Sequence, residues 1–189
     1  PLPHARPDAA AATHVERPPV PLADSLGPDE PFQKSEVGRT VTVEGTWLTE
    51  STFYVSDRDR EDETGYWVIT PLAVTDQTSP QAVGEASALL VVRGWAASID
   101  PRPNPPSGQA SLTAWLQPPE GTAGLADPDR SDDVIPQVRI ADAIQQVDQD
   151  LYGAYAVLNA AVEQTNPGND GLAAVTLDQV PDVAATTGW

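Results

Sequence analysis

The sequence predicts a mainly β domain, at the border of α+β, in which a curved or barrel-like antiparallel sheet packs against one amphipathic helix. Two apolar runs, residues 65–72 and 88–95, are rich in β-branched and aromatic residues and are separated by turn-forming residues at 75–80. This pattern is typical of two core strands joined as a hairpin. The 20 prolines among 189 residues indicate that much of the remaining chain is loop or extended segment.

The first strand is predicted over residues 40–47, where Val41 and Val43 alternate with polar residues. Gly45 interrupts this alternation. A glycine inside a strand usually marks a bulge or a close approach of another backbone, so we expect one of these at Gly45.

A second strand is predicted over residues 52–56, with Tyr54 in a packing role. The densest charge cluster of the chain follows at residues 57–63. We interpret this cluster as a solvated turn between strands, in which Arg58 pairs with a carboxylate or with an anionic ligand.

Further elements follow the hairpin. Residues 100–107 are predicted to form an extended, polyproline-like crossing, residues 109–116 a half-buried strand, and residues 152–162 a β-compatible segment. Between them, a single helix is predicted over about residues 138–149, because apolar residues recur there at spacings of four, three and four. The apolar stripe consists of Ile140, Ile144, Val147 and Leu151.

The pattern divides the chain into three parts. Residues 1–36 are expected to form a proline-rich arm with at most one helical turn, around Leu22 to Leu26. Residues 37–178 are expected to form a single β-rich domain. Residues 179–189 are a polar connector.

The composition excludes several classes of function. The 28 acidic and 10 basic residues give a net charge of −18, which repels phosphate backbones and argues against nucleic acid as a partner. The chain has no Cys and no Met, so disulfides, iron–sulfur clusters and soft copper ligands are excluded. We therefore predict no metal site.

Catalysis is also not expected. The two histidines of the chain, His4 and His14, both lie in the proline-rich arm, and neither a G-x-S-x-G motif nor a glycine-rich phosphate loop is found. We therefore predict that the protein is not an enzyme.

Three stretches together resemble a known family. They read G-R-T-V-T-V-E-G-T-W at residues 38–47, G-Y-W-V-I-T-P-L at residues 65–72 and L-L-V-V-R-G-W at residues 89–95. In this order they resemble the soluble domain of the SURF1 family, the assembly factors of haem-copper cytochrome c oxidase. The positions that match the family's motifs are Gly45, Tyr54, Arg58, Gly65, Tyr66, Thr70, Pro71, Arg93, Gly94 and Trp95.

The resemblance implies a role in the assembly of an aa3-type oxidase, by assisting haem a delivery or insertion into the catalytic subunit. It also implies a domain on the extracytoplasmic side of the cell membrane, between two membrane helices that are absent from this chain: one would precede the arm and the other would follow the connector. The implied partners are oxidase subunits and haem a or its synthase. Haem a would be bound by the full-length protein, with no cofactor held tightly by the present chain.

His14 is a candidate axial ligand for the iron of such a cofactor, with a solvated surface histidine as the alternative. Arg93 and Trp95 are the candidate contacts to its ring and propionates. A guanidinium is a rigid fork of donors suited to carboxylates, and an indole stacks on a flat ring, so the pair fits a propionate-bearing ring. The competing interpretation is that Arg93 pairs with an acidic neighbour while Trp95 closes the core. Two other functions also remain open: a scaffold that docks oxidase subunits without contacting haem, and an unrelated extracytoplasmic module that binds a small ligand.

Overall fold

The computed structural model describes residues 18–27, 31–75, 87–100, 102–119, 133–135, 138, 150–169 and 171–176. Within these residues the fold is mainly β, as predicted. The strands are β1 (Val20–Pro21), β2 (Thr40–Trp47), β3 (Phe53–Arg60), β4 (Glu63–Val74), β5 (Ala88–Ala96), β6 (Gln109–Gln117), β7 (Val134–Ile135) and β8 (Leu151–Leu158). A single-turn helix, α1 (Leu22–Ser25), lies where one helical turn was predicted, and 3₁₀ turns occur at Lys34–Glu36 and Thr49–Ser51.

The strands form one sheet in the order β1-β2-β6-β8-β5-β4-β3-β7. Because β2 also pairs with β4, the strands β2, β6, β8, β5 and β4 close a ring. The prediction of a curved or barrel-like sheet is therefore confirmed. Most pairs are antiparallel, but β1–β2, β3–β7 and β5–β8 are parallel, so the sheet is mixed.

The hairpin predicted for residues 65–95 is confirmed as the antiparallel pair β4–β5, in register from Tyr66 opposite Ala96 to Ala73 opposite Ala88. The strand predicted over residues 109–116 is confirmed as β6. The β-compatible segment predicted over residues 152–162 contains β8, but the strand ends at Leu158, so residues 159–162 are not part of it. Residues 102–107, in the predicted crossing, connect β5 to β6 without regular secondary structure.

The ring closes at Gly45. This residue lies opposite Ala110 of β6 and also opposite Val74 of β4. A Cβ atom placed on Gly45 would lie 2.3 Å from the carbonyl oxygen of Ala73. The expected close backbone approach is therefore confirmed, and only glycine fits this position.

Strand β5 is buried on both faces. Leu89 and Val91 belong to the cluster that fills the ring, whereas Leu90 and Val92 belong to a second cluster on its outer surface. A strand covered on both sides needs no polar alternation, which explains its continuous apolar run. Leu22 and Leu26 also pack into the ring cluster, so the N-terminal segment from Val20 is part of the folded core.

The outer cluster centres on Phe53, Trp67 and Tyr155 and includes the buried residues Ile135 and Val138. The helix predicted over residues 138–149, with its stripe of Ile140, Ile144, Val147 and Leu151, lies outside the described residues except for Val138, which is fully buried. Leu151 is also described, and its place in the helical stripe is wrong, because it begins strand β8.

The interpretation of residues 57–63 as a solvated turn is wrong in its extent. Strand β3 continues to Arg60 and β4 begins at Glu63, so the turn consists only of Glu61 and Asp62, both with positive φ. The physical reason is that Arg58 is 9% exposed and carries its guanidinium 4.3 Å above the ring of Trp67. A long cationic side chain that packs on an indole is compatible with a covered strand.

Candidate functional site

A β-bulge in the hairpin places Arg93. Val68 lies opposite Gly94 and Ile69 lies opposite Val92, which leaves Arg93 as an extra residue in β5. Bulges of this kind redirect a side chain out of the regular alternation of a strand. The guanidinium of Arg93 points toward one end of the ring, where loops cover it.

Three hydrogen bonds hold this guanidinium. Nε donates to the carbonyl oxygen of Gly168 at 2.8 Å, Nη2 donates to the carbonyl oxygen of Asn104 at 3.0 Å, and Nη1 donates to Oγ1 of Thr70 at 3.2 Å. Thr70 Oγ1 is also 2.8 Å from Oγ1 of Thr52. Arg93 thus ties two separate loops to strand β4.

The charge of Arg93 is buried, and no described residue supplies a counterion. Its residue is 2% exposed, and within the described part of the chain no carboxylate forms an ion pair with it. Burial lowers the pKa of Arg93 to about 10, because desolvation disfavours the charged form. The acidic neighbour that the sequence left open for Arg93 is therefore not found among these residues, and neutral acceptors take its place.

Trp95 lies on the other face of the sheet from the Arg93 guanidinium. Thr70, which binds Arg93, shares the face of Leu72 inside the ring, whereas Trp95 packs with Trp67 in the outer cluster. The indole Nε1 donates to the carbonyl oxygen of Arg58 at 2.7 Å. The two candidate haem contacts are therefore not brought together, because the bulge between them breaks the alternation that would align residues two apart.

Two motif glycines allow close packing around Trp95. A Cβ on Gly65 would lie 2.4 Å from the carbonyl oxygen of Ala96 and 2.6 Å from the Trp95 ring. A Cβ on Gly94 would lie 2.6 Å from Cβ of Leu172 and 2.8 Å from the carbonyl oxygen of Ala173. Ala173 forms an antiparallel bridge with Trp95 of β5 at this point, and the two residues exchange two backbone hydrogen bonds.

The remaining motif positions also have structural contacts. The carbonyl oxygen of Pro71 accepts a hydrogen bond from the Leu48 backbone at 2.9 Å. Tyr54 is buried beside Val68, with the partly buried Tyr66 packed against the same small cluster. Burial and the nearby carboxylate of Asp133 raise the pKa of Tyr54, so its phenol stays protonated at neutral pH.

An open cleft of about 950 Å³ lies beside the two loops that bind Arg93, although Arg93 itself is not among its lining residues. Its walls are residues 95–98, 102–106, 166–168 and 171–173. Asn104 and Gly168, whose carbonyl groups bind Arg93, stand in these walls. We refer to this feature as the loop cleft.

The lining of the loop cleft is unlike the rest of this acidic chain. Arg102 is its one ionisable side chain among the described residues, and its Nη2 binds a carboxylate oxygen of Asp133 at 2.8 Å. The described lining includes no His, Cys, Met or Tyr, which are the side chains that ligate haem iron. Across the described ranges, no three His, Cys, Asp or Glu side chains gather as a metal site.

Sequence reasoning missed Asn104 and Gly168, which act through their main-chain carbonyl groups. Residues 100–107 were interpreted only as a crossing, although their prolines leave carbonyl groups unpaired along an extended segment. The Asn-Pro-Gly at residues 166–168 signals a turn, with φ of 70° at Gly168, but not its partner. His4 and His14 lie outside the described residues.

Among the described helices, none has the length and apolar character needed to cross a membrane.

Comparisons with known proteins agree with the resemblance of the three stretches. The family model described as SURF1 family matches residues 4–186, nearly the whole chain. A search of curated proteins found no match.

Proposed function

The chain belongs to the SURF1 family, and we propose that its folded domain assists haem a delivery to the catalytic subunit of cytochrome c oxidase by docking on oxidase subunits. Membership of the family gives the chain a general role in cytochrome c oxidase assembly. The family is one of assembly factors and not of known enzymes, and it is typically membrane-associated.

The hydrogen bonds of Arg93 and Trp95 favour docking over the binding of haem by this domain. The guanidinium of Arg93 is bonded to Thr70 and to two loop carbonyl groups, and the Trp95 indole N–H is bonded to the Arg58 carbonyl. A propionate could take the place of these acceptors only if the loops moved. Each lost bond to a charged donor costs about 1.5–3 kcal/mol.

The described residues also do not fit a ligated haem. The described residues that line the loop cleft include no axial donor, and the buried phenol of Tyr54 lies in an apolar cluster. We therefore propose that haem a is held outside the described part of the domain. His14 and the membrane segments that the family resemblance implies are the candidates.

The proposed location of the domain is the extracytoplasmic side of the cell membrane. Lys34 is the one lysine of a chain with a net charge of −18. Segments near membrane helices on the cytoplasmic side are enriched in Lys and Arg, so this composition favours the opposite side.

Docking is tested by capture of the oxidase catalytic subunit in a host that lacks haem a synthesis. We expect the full-length protein to retain the catalytic subunit there, because docking needs only the folded domain. Gly45→Val is the control, since it disrupts the ring and should lose the subunit. Capture that occurs only in a host that makes haem a would contradict docking and would favour a domain that carries haem.

A further inference from the structure

We propose that residues 20–26, called the strap from here on, form a releasable cover over a strand-addition site on the ring. When the strap leaves, the first half of β2 and an apolar opening into the ring become available to an extended apolar segment of a partner protein. This assignment rests on the proposed docking function, to which it adds the site of docking and the contact that keeps the site closed.

The seam of the ring is incomplete beside the first half of β2. Strands β2 and β4 pair over only three residues of β2, from Gly45 to Trp47. Residues 40–44 of β2 pair with β6 on one side, and among the described residues β1 is the one strand on their other side. Strand β1 covers just two of them, Val41 and Thr42. The strap therefore closes the part of the seam that β4 does not reach.

Two leucines of the strap fill this part of the seam. Leu22 is 4% exposed and Leu26 is 2% exposed, and both belong to the cluster that fills the ring. If the strap left, this end of the cluster would be open to water beside an unpaired strand edge. A strand edge with apolar surface beside it binds extended segments, because the backbone adds a strand while alternate side chains fill the pockets.

The strap is held less firmly than the strands of the ring. It pairs with β2 over two residues, whereas β6 pairs with β2 over seven. Its helix is a single turn that no side chain caps, with a backbone hydrogen bond from Leu26 to the carbonyl oxygen of Leu22. The conformational entropy lost in ordering this segment offsets much of what two buried leucines contribute. We therefore expect the strap to open while the ring stays folded.

One carboxylate ties the strap to the segment that leads into β2. Oγ of Ser25 donates to Oε1 of Glu36 at 2.5 Å, and Nε of Arg39 donates to the same oxygen at 3.1 Å. These hydrogen bonds lie between partly buried groups. They fix the end of the strap through a single side chain, so the strap can be released without breaking any strand pair of the ring.

The strap itself shows which chemistry fits the site. Val20 and Leu22 pack on the cluster that fills the ring, whereas Pro21 between them is exposed. A partner segment that replaces the strap must therefore be extended, with apolar residues at alternate positions. The net charge of −18 disfavours an acidic segment in this place.

The test locks the strap with a disulfide in the full chain. Pro21→Cys and Thr42→Cys place two cysteines opposite each other, at exposed positions of β1 and β2. Neighbouring strands lie about 4.8 Å apart, which suits a disulfide, and the chain itself has no cysteine. The reduced form of the same variant is the matched control.

Hydrogen exchange measures whether the strap opens by itself. In the reduced form, the amide of Leu26 should exchange at least about tenfold faster than the ring amide of Trp47, which donates to the Gly108 carbonyl. Oxidation should slow exchange at Leu26 about tenfold and leave Trp47 unchanged. Equal exchange of the two amides in the reduced form, or no slowing at Leu26 on oxidation, would overturn the proposal.

A peptide with the sequence of residues 17–27 probes the site beneath the strap. It should bind the variant with Leu22→Asp and Leu26→Asp, whose own strap no longer fits the apolar opening, and shift the amide resonances of residues 41–43. The same peptide with aspartate at both leucine positions should not bind. Ala23→Asp, at an exposed position of the strap, is the matched control and should leave the site covered. If the double variant folds and the peptide does not bind it, the site is not one for strand addition; if it does not fold, the exchange comparison decides.

Capture of the catalytic subunit separates this proposal from the docking function. Full-length protein with the oxidised lock should lose the subunit, whereas the reduced form should retain it. Capture by both forms would show that docking does not use the site beneath the strap. If the parent protein captures no subunit, the docking function is wrong, and the exchange and peptide results still decide whether the strap is a releasable cover.

Discussion

Two parts of the ring are stabilised in different ways: the seam at Gly45, where β2 meets β4, and the loops that Arg93 binds. At the seam where β2 meets β4, strand pairing and apolar packing bring two backbones so close that Gly45 tolerates no side chain. At the loop cleft, a single guanidinium joins strand β4 to two loops through carbonyl groups. The seam therefore depends on side-chain size, whereas the cleft depends on hydrogen-bond geometry.

The largest expected effect is at the seam. Gly45→Val should lower the free energy of unfolding by about 3 kcal/mol or more, because a Cβ there overlaps the Ala73 carbonyl, 2.3 Å away, and the strands must separate. Urea denaturation measures the loss. Thr42→Val, at an exposed position of the same strand, is the control and should change stability by less than about 0.5 kcal/mol. A Gly45→Val variant as stable as the control would show that the ring does not close at this point.

At the loop cleft, Arg93→Gln should lower the free energy of unfolding by about 2–3 kcal/mol, because the carbonyl groups of Gly168 and Asn104 lose a charged donor. The destabilisation should affect the segments that Arg93 binds before it affects the ring. Hydrogen exchange should accelerate at the amide of Ala173, which bonds to Trp95. If exchange there is unchanged while the ring amides exchange faster, then Arg93 does not hold the loops.

On the outer face, Trp95→Phe should cost about 1–2 kcal/mol. The substitution keeps a ring but removes the indole N–H that satisfies the Arg58 carbonyl. Thermal unfolding measures the change. A neutral result would mean that the Arg58 carbonyl finds another donor.

The smallest effect concerns Glu36, where the N-terminal segment meets the ring. Burial alone would raise its pKa, but hydrogen bonds from Ser25 and Arg39 outweigh burial and lower the pKa below the ordinary value of 4.5. A lowered carboxyl pKa contributes stability above that value, and the contribution is lost as pH falls through the folded-state pKa. Glu36→Gln should therefore be less stable by under about 1 kcal/mol at neutral pH, and the difference should vanish in acid. A difference that persists at pH of about 3 would contradict this assignment.

The repeating parts of the fold could be predicted from the sequence because side-chain alternation is local. Strands β4, β5 and β6 follow their patterns of apolar residues, and Gly45 marks a close approach by the absence of a side chain. The partner of that approach could not be predicted, because the pairing of β2 with β4 is a property of ring closure and not of either strand.

The geometry of the site could be predicted less well from the sequence than the strands could. Spacing of two residues predicts that Arg93 and Trp95 share a face, and the bulge at Arg93 reverses this. No residue type in V-V-R-G-W distinguishes a bulged arginine from a regular one. Likewise, the acceptors of Arg93 are backbone carbonyl groups, which leave no signature in side-chain chemistry. Arg58 shows the same difficulty, because stacking on Trp67 turns a charged residue into a core contact.

The folded domain is proposed to dock on the oxidase without itself holding haem. The most direct test of this proposal is an absorbance titration of this chain with haem, with His14→Ala and the full-length protein measured under the same conditions. We expect no saturable Soret shift at micromolar haem for the chain, because the described residues that line the loop cleft include no axial donor, and a shift for the full-length protein. A sharp low-spin spectrum from the chain that disappears in His14→Ala would contradict this proposal and would place the haem site in this domain.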